Sequence, residues 1–208
     1  MKRNIAIALL LAATATSAVV AFAQGTKAAI GAVSPNFTLS ASNGKQISLE
    51  SYRGKFVVLE WTNKDCPFVK KHYNSGNMQA TQEKAKEMGA VWFTIISSAP
   101  NAQGYMSADQ VNQYRTENKV KSVATLLDSQ GTVGHMYNAR TTPQIVIINP
   151  KGEVVYNGAI DDRPSPDPES LNGAKNYALA ALKEAMSGQP VAVSTSRPYG
   201  CGIKYADE

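Results

Sequence analysis

The sequence has very few cysteines: Cys66 and Cys201 are the only two among its 208 residues. Small exported domains that rely on disulfides instead of a hydrophobic core need several cysteine pairs, so this chain is not a disulfide scaffold. With 43% hydrophobic and 18% charged residues, it has an ordinary globular composition and enough length for one domain with a sizeable core. Three possibilities remain for the two cysteines: they form a redox pair, they form one permanent crosslink, or they have no functional role.

Other absences exclude whole classes of function. The sequence has neither a G-x-G-x-x-G pattern nor a phosphate-binding loop, so no nucleotide or other cofactor is expected. Arginine-rich stripes are missing, and the formal net charge is only +5, which argues against nucleic acid as a partner. No internal repeat or low-complexity tract occurs. These absences favour a single globular domain that acts without a bound cofactor.

The only long apolar run lies at the N-terminus. Residues 1–23 combine a basic start at Lys2 and Arg3, an apolar stretch over Ile5–Ala13 and an A-x-A site that ends at Ala23, which is typical of a secretory signal peptide. A membrane anchor is the alternative, but the uninterrupted apolar part is too short to span a bilayer. We therefore predict an exported protein, periplasmic if its source is a Gram-negative bacterium, with no membrane attachment after cleavage. Loss of Lys2 and Arg3 lowers the formal net charge to +3.

The most informative stretch surrounds Cys66. An apolar run over 56–59 indicates a buried strand, and Pro67 suits the first position of a helix, so Cys66 is predicted at a strand-to-helix junction. Unpaired amide groups and the helix dipole favour an anion there, and Lys64 adds positive charge nearby. Such a site favours the thiolate form of cysteine, which is the nucleophile. Cys66 is therefore predicted to be reactive, and the alternative is a buried structural cysteine.

The remaining pattern predicts an α/β sandwich. Asn43-Gly44 marks a hairpin before the central strand, and strands alternate with helices up to a second hairpin at 149–152. Ser107 with Gln110 predicts a capping box, and Glu169–Met186 is predicted as one closing helix. The expected domain boundaries are a signal peptide at 1–23, a globular domain at 24–188 and a tail at 189–208 that carries Cys201.

The stretch Asn63-x-x-Cys66-Pro67-Phe68-Val69-Lys70 after an apolar strand resembles the active-site segment of the thioredoxin-like superfamily. The resemblance extends over residues 31–187 and is strongest to its peroxiredoxin-like branch, the alkyl hydroperoxide reductase and thiol-specific antioxidant group. It implies a central mixed sheet flanked by helices, with an N-terminal β-hairpin extension. The chain departs from the pattern at three positions: Val69 replaces the second cysteine of thioredoxins, and Asn63 and Leu59 replace a threonine and a proline of peroxiredoxins.

The resemblance also implies roles for particular residues. Pro143 matches the proline that follows a cis peptide bond and faces the reactive cysteine, so the Thr142–Pro143 bond is predicted to be cis and to lie against Cys66. Relatives of this group carry resolving cysteines near the C-terminus, which makes Cys201 a candidate. Its neighbours Gly200 and Gly202 suggest a mobile, approachable backbone.

Asn63 and Lys64 are candidates to orient a substrate beside the sulfur, with ordinary loop residues as the alternative. His72 and His135 together with Cys66 suggest a metal site, but copper-handling relatives use two cysteines four residues apart, and here Lys70 takes the second position, so no metal ligand is predicted. Asp161 and Asp162 are either an acid–base pair or a solvated loop.

Together these observations predict an exported thiol-dependent oxidoreductase that reacts through Cys66 with a peroxide or a disulfide. Its expected partners are that substrate and an external thiol reductant. The alternatives are a non-catalytic binding module that uses the cleft near Pro143 for a peptide, and a metal-handling protein. The oligomeric state is left open by the sequence.

Overall fold

The computed structural model describes residues 27–207, so the predicted signal peptide lies outside the described residues. This part of the chain contains nine strands and five α-helices. The strands are β1 Thr38–Ala41, β2 Gln46–Ser48, β3 Val57–Trp61, β4 Val91–Ile96, β5 Ala124–Leu127, β6 Thr141–Thr142, β7 Gln144–Ile148, β8 Val154–Gly158 and β9 Cys201–Gly202. The helices are α1 Pro67–Asn74, α2 Asn77–Glu87, α3 Ala108–Glu117, α4 Thr132–Met136 and α5 Tyr177–Met186.

Seven strands form one mixed sheet in the order β2-β1-β5-β4-β3-β7-β8. Strand β3 lies near its centre, parallel to β4 and antiparallel to β7. The N-terminal hairpin of β1 and β2 joins the sheet through antiparallel pairing of β1 with β5. The predicted α/β class, with a mixed sheet, flanking helices and an N-terminal hairpin, is therefore confirmed.

Strand β3 separates two hydrophobic clusters because successive side chains of a strand point to opposite faces. Val57, Leu59 and Trp61 pack into one cluster, which includes the N-terminal hairpin. Val58 packs into the other, which includes residues of α1, α2 and α5 and also contains Cys66. Every residue of β3 is buried, as expected when both faces of a strand are covered.

The predicted capping box is present at the start of α3. Ser107 Oγ accepts a hydrogen bond from the Gln110 backbone N–H at 3.3 Å, and Gln110 Oε1 accepts one from the Ser107 N–H at 2.9 Å. These two bonds satisfy amide groups that have no partner inside the helix. The start of this helix was therefore predicted correctly from local sequence.

The prediction of one closing helix over Glu169–Met186 is wrong in its first half. Pro168–Leu171 forms a short 3₁₀ turn, and Gly173 adopts a φ of +70°, which interrupts a right-handed helix. Helix α5 begins only at Tyr177, where the Asn176 side chain caps it by accepting a hydrogen bond from the Leu179 N–H at 2.9 Å. The apolar spacing held only over the second half, where Ala178 and Leu182 are buried.

The tail that carries Cys201 is docked on the domain, contrary to the expected mobile backbone. Ser196 Oγ accepts a hydrogen bond from the Ala159 N–H at 2.9 Å, and the Ile203 N–H donates to the Arg140 carbonyl at 3.0 Å. Tyr205 is 6% exposed, and its hydroxyl donates to the Ala139 carbonyl at 2.7 Å. The tail is thus fixed on both sides of Cys201.

Within residues 27–207, no helix combines the length and the apolar character that are needed to cross a bilayer.

Candidate active site

Cys66 lies where β3 gives way to α1, as the sequence predicts. It is the N-cap residue of α1, and Pro67 occupies the first turn, where a missing N–H has no cost. The Cys66 N–H donates to the Asn63 carbonyl at 3.1 Å, and its own carbonyl accepts from the Lys70 N–H at 2.9 Å. The residue is 0% exposed, so its sulfur is reached only if the covering residues move.

The polar partners of the Cys66 sulfur are backbone groups. The thiol donates to the Thr142 carbonyl at 3.1 Å, and the Cys201 N–H donates to the sulfur at 3.4 Å. Both cysteines are free thiols. Cys66, Thr142 and Cys201 therefore meet at one point, although they come from widely separated parts of the chain.

A two-stranded ladder creates this meeting point. β6 and β9 pair antiparallel, with Thr142 opposite Cys201 and Thr141 opposite Gly202. The Thr142–Pro143 bond is cis, and the Thr142 carbonyl accepts the Cys66 thiol hydrogen, so the prediction for this bond and its position is confirmed. β9 therefore covers the cleft beside Pro143.

The two thiols have different surroundings. Burial, together with the adjacent Cys66 side chain, raises the pKa of the Cys201 thiol to about 12. Cys201 is only partly buried, whereas Cys66 is fully enclosed. Because the thiolate is the nucleophile, a high pKa makes Cys201 a poor first attacker at neutral pH.

Gly200 permits the close approach of the tail to β6. Its φ is +136°, and a Cβ built at this position would run into the Thr142 carbonyl. Glycine is the residue that tolerates both such a backbone conformation and such a contact.

We expect Gly200→Ala to displace β9 from β6. The new methyl group cannot fit beside the Thr142 backbone, so the ladder should open and expose Cys66. We expect alkylation of Cys66 to be at least about tenfold faster than in the wild type. If the free energy of opening the ladder falls by about 1.4 kcal/mol, the open state becomes tenfold more populated. Gly188→Ala is the matched control, since that glycine also has a positive φ of +72° but its Cβ would meet no atom within 4 Å. Equal rates in the two variants would contradict the role given to Gly200.

Asn63 and Lys64 do not contact the sulfur with their side chains. Asn63 Oδ1 accepts from the Asp65 N–H at 2.8 Å, and Lys64 Nζ pairs with Asp65 Oδ1 at 2.7 Å. Among the described residues, Asn63 Nδ2 has no hydrogen-bond partner, and the side chain is enclosed beneath Gly104. Both residues shape the loop before Cys66 in this structure, and a role in orienting substrate stays a prediction.

The two histidines belong to separate networks. His72 is 0% exposed, and its Nδ1 and Nε2 contact Asn77 Nδ2 at 2.7 Å and Tyr199 Oη at 3.2 Å. The His135 ring stacks on Tyr205, and its Nε2 lies 3.1 Å from Asp207 Oδ1. Within residues 27–207, no three His, Cys, Asp or Glu side chains cluster so as to hold a metal ion. The structure therefore does not assemble the Cys66, His72 and His135 group.

Asp161 and Asp162 have different surroundings, although they are adjacent in the chain. Asp162 accepts from the Lys175 N–H at 2.9 Å and lies beside Arg163, near the surface. Asp161 is 3% exposed and accepts the hydroxyl hydrogen of Tyr199. The expectation of a merely solvated loop is therefore wrong for Asp161, because the docked tail buries it.

Glu60 is a buried carboxyl group that the sequence analysis missed. Its oxygens accept hydrogen bonds from Tyr73 Oη at 2.9 Å, Gln82 Nε2 at 2.9 Å and Trp92 Nε1 at 2.8 Å. Burial raises the pKa of Glu60 to about 7, although these three donors oppose the rise. An ionisable residue inside the apolar run of β3 was the signal that could have identified it.

Comparison with known proteins agrees with this geometry. Residues 30–157 match the model of the AhpC/TSA family. Over 125 residues the chain is 28% identical to the thiol-disulfide oxidoreductase ResA of Bacillus subtilis, a match that covers 60% of this chain. The chain spans 64% of the length of that curated relative.

Two solved structures share the fold at low sequence identity. A hypothetical protein of Sinorhizobium meliloti superposes with a TM-score of 0.74 at 20% identity, over 88% of this chain and 98% of the other. An uncharacterized conserved protein of Geobacillus kaustophilus gives a TM-score of 0.73 at 23% identity, over 88% and 96% of the two chains. Since the family model covers more than half of the residues, the chain belongs to the AhpC/TSA family of the thioredoxin-like superfamily.

Proposed function

We propose that this protein is a thiol–disulfide oxidoreductase in which Cys66 and Cys201 cycle between two thiols and one disulfide. The observation that carries the proposal is the hydrogen bond of 3.4 Å from the Cys201 N–H to the Cys66 sulfur. It brings together the only two cysteines of the chain, one at the start of α1 and the other on β9. The similarity to ResA, a thiol-disulfide oxidoreductase by name, supports the same chemistry.

The reaction proceeds in two exchanges. The Cys66 thiolate attacks one sulfur of a substrate disulfide, the substrate S–S bond breaks, and one substrate thiolate leaves. The Cys201 thiolate then attacks the Cys66 sulfur, forms the Cys66–Cys201 disulfide and releases the second substrate thiolate. The substrate gains two electrons and the protein loses two, so an external dithiol must reduce the protein again. The predicted signal peptide would place this chemistry outside the cytoplasm.

Peroxide reduction is a second candidate, and the complete burial of Cys66 favours it, since a small oxidant enters an enclosed site more easily than a protein does. In that case the Cys66 thiolate attacks one peroxide oxygen, hydroxide leaves, and a sulfenic acid forms. Cys201 then displaces the sulfenic hydroxyl as water and closes the same disulfide. The position of the peroxiredoxin threonine is taken by Asn63, whose carboxamide oxygen is already bound to the Asp65 N–H.

A single-turnover experiment separates the candidates. The reduced protein is mixed in parallel with oxidised glutathione and with hydrogen peroxide, and the loss of its thiols is followed over time. Disulfide exchange predicts a Cys66–glutathione adduct that converts to the internal disulfide, with a peroxide reaction no faster than that of free cysteine. A peroxide reaction several orders of magnitude faster than that of free cysteine would instead establish the second candidate. A protein that reacts with neither oxidant would be a binding module.

A further inference from the structure

A buried polar cluster connects the two elements that carry the cysteines. It consists of Lys71 and His72 on α1, Asp161 after β8, and Tyr199, two residues before Cys201; we call these four residues the Tyr199 cluster. Lys71, His72 and Asp161 are at most 3% exposed. Buried ionisable side chains are uncommon unless they are paired, so their position between the two cysteine-bearing elements requires an explanation.

The Tyr199 hydroxyl lies at the centre of this cluster. It donates a hydrogen bond to Asp161 Oδ1, and it accepts from His72 Nε2 at 3.2 Å and from Lys71 Nζ at 3.3 Å. Asn77 Nδ2 donates to His72 Nδ1 at 2.7 Å, which places the ring hydrogen on Nε2, facing Tyr199. The Tyr199 hydroxyl therefore uses its one donor and both acceptor positions, and all three of these hydrogen bonds are with side chains outside the tail.

The charged side chains of the cluster have Tyr199 of the docked tail as a hydrogen-bond partner. Burial lowers the pKa of His72 to about 3, so this ring is neutral and Lys71 is the cation that faces Asp161. Lys71 Nζ lies 5.1 Å from the centre of the Tyr199 ring and donates to the Arg163 carbonyl at 2.8 Å. Asp161 Oδ2 already has no hydrogen-bond partner among the described residues. Withdrawal of Tyr199 would leave Asp161 Oδ1 with the Arg163 N–H, at 2.9 Å, as its remaining hydrogen-bond donor.

On its outer side, the tail segment around Tyr199 borders a cavity of about 580 Å³, lined by Thr141, Asp161, Tyr177, Ser196, Tyr199 and Gly200 among others. The Phe68 ring contacts the Tyr199 ring from α1, with centroids 5.7 Å apart. This part of the tail therefore approaches α1 through the aromatic contact with Phe68, through the hydrogen bonds of the Tyr199 hydroxyl, and through packing of Tyr199 and Cys201 against the hydrophobic cluster that contains Cys66.

We propose that Tyr199 is a positioning residue for the Cys66–Cys201 pair, because its hydroxyl holds the tail closed over Cys66. The proposal rests on the function proposed above. When the cluster is intact, β9 covers Cys66 and keeps Cys201 beside it. When a substrate thiol is attached to Cys66, β9 must move aside, and re-formation of the cluster returns Cys201 for the second exchange.

Tyr199→Phe tests the proposal, because it removes the hydroxyl and keeps the ring that contacts Phe68. We expect iodoacetamide to modify Cys66 about tenfold faster than in the wild type. Loss of the hydrogen bonds to charged partners should make the conformation with an open tail about tenfold more populated. We also expect the Cys66–glutathione adduct to convert to the internal disulfide about tenfold more slowly. Peptide mass mapping after timed acid quenching measures both rates. A generally loosened protein would show the first change without the second.

Tyr137→Phe is the matched control. It also removes a buried phenol hydrogen bond, from Tyr137 Oη to the Pro35 carbonyl at 2.6 Å, but in the other hydrophobic cluster. Both rates should stay within about twofold of the wild type in this control. Asp161→Asn serves as a second test variant if Tyr199→Phe does not fold, and it should change both rates in the same directions by a smaller factor.

Failure of the positioning role of Tyr199 and failure of the proposed function would give different results. If the wild type forms the internal disulfide and Tyr199→Phe matches Tyr137→Phe in both rates, the positioning role is overturned and the proposed function stands. If the wild-type adduct never converts to a disulfide, the proposed function is overturned, and the role of Tyr199 in the second exchange falls with it.

Discussion

Cys201→Ser is expected to stop the reaction at the Cys66 mixed disulfide. In the wild type, the Cys201 N–H lies 3.4 Å from the Cys66 sulfur, so the proposed attack by Cys201 takes place within one molecule. In the variant, a thiol from solution must take its place, and well-oriented neighbouring groups have effective concentrations of about 10⁵ M or more, far above any added thiol. With millimolar glutathione we therefore expect resolution of the adduct to slow by at least about 100-fold. Intact-mass measurement of the quenched protein would show the adduct accumulating.

The pH dependence of the second exchange provides a further check on the same pair. In the reduced protein, burial and the adjacent Cys66 side chain raise the pKa of Cys201 to about 12. The rate at which the wild-type adduct converts should rise with pH between about 7 and 9, because the thiolate fraction rises tenfold per unit below the pKa. Cys66→Ser is the control and should form no such adduct. Conversion at the wild-type rate in Cys201→Ser would contradict the role of Cys201.

Glu60→Gln should change how the stability of the fold depends on pH. Burial raises the pKa of Glu60 from 4.5 to about 7 in the folded state. The favourable contribution of the neutral carboxyl group is therefore complete below pH 4.5 and is lost as the pH rises through 7. A shift of this size corresponds to about 3 kcal/mol of unfolding free energy at pH 8, since each pKa unit is worth about 1.4 kcal/mol.

Urea unfolding at pH 5, 6.5 and 8 measures this effect. The free energy of unfolding of Glu60→Gln, relative to the wild type, should increase by about 2.5 kcal/mol from pH 5 to pH 8, and this change does not depend on what the altered hydrogen bonding costs at a single pH. Glu87→Gln is the control, because that side chain lies on the surface beside Lys84, and the variant should keep the wild-type pH dependence. Parallel curves for Glu60→Gln and the wild type would show that Glu60 is not neutral in the folded state.

Local patterns predicted the framework around Cys66 well. The apolar run before Cys66, Pro67 at the helix start and Pro143 before an apolar strand each depend on short-range sequence, and all lie where expected. The capping box at Ser107 was found for the same reason. Positions that are set by neighbouring residues and by a shared family pattern are therefore readable from this sequence.

Contacts between residues that are distant in the sequence could not be predicted in the same way. Tyr199 and Asp161 look like ordinary tail and loop residues, and only the docking of the tail against α1 gives them partners. Gly200 suggested mobility, whereas the structure uses it for close approach to the Thr142 backbone. The first half of the predicted closing helix fails for a local reason, because Gly173 has a positive φ that interrupts the helix in spite of the apolar spacing around it.

Disulfide mapping of the oxidised full chain determines whether Cys66 and Cys201 form a redox pair. The reduced protein is exposed to a slight excess of oxidised glutathione, quenched with acid, alkylated and digested, and the peptides are identified by mass with and without reduction. We predict a linked pair of peptides that contain Cys66 and Cys201. The link should form within one chain at protein concentrations low enough to prevent dimers, and a dithiol reductant should reopen it. Recovery of Cys66 as a stable glutathione adduct, with Cys201 alkylated as a free thiol, would contradict it.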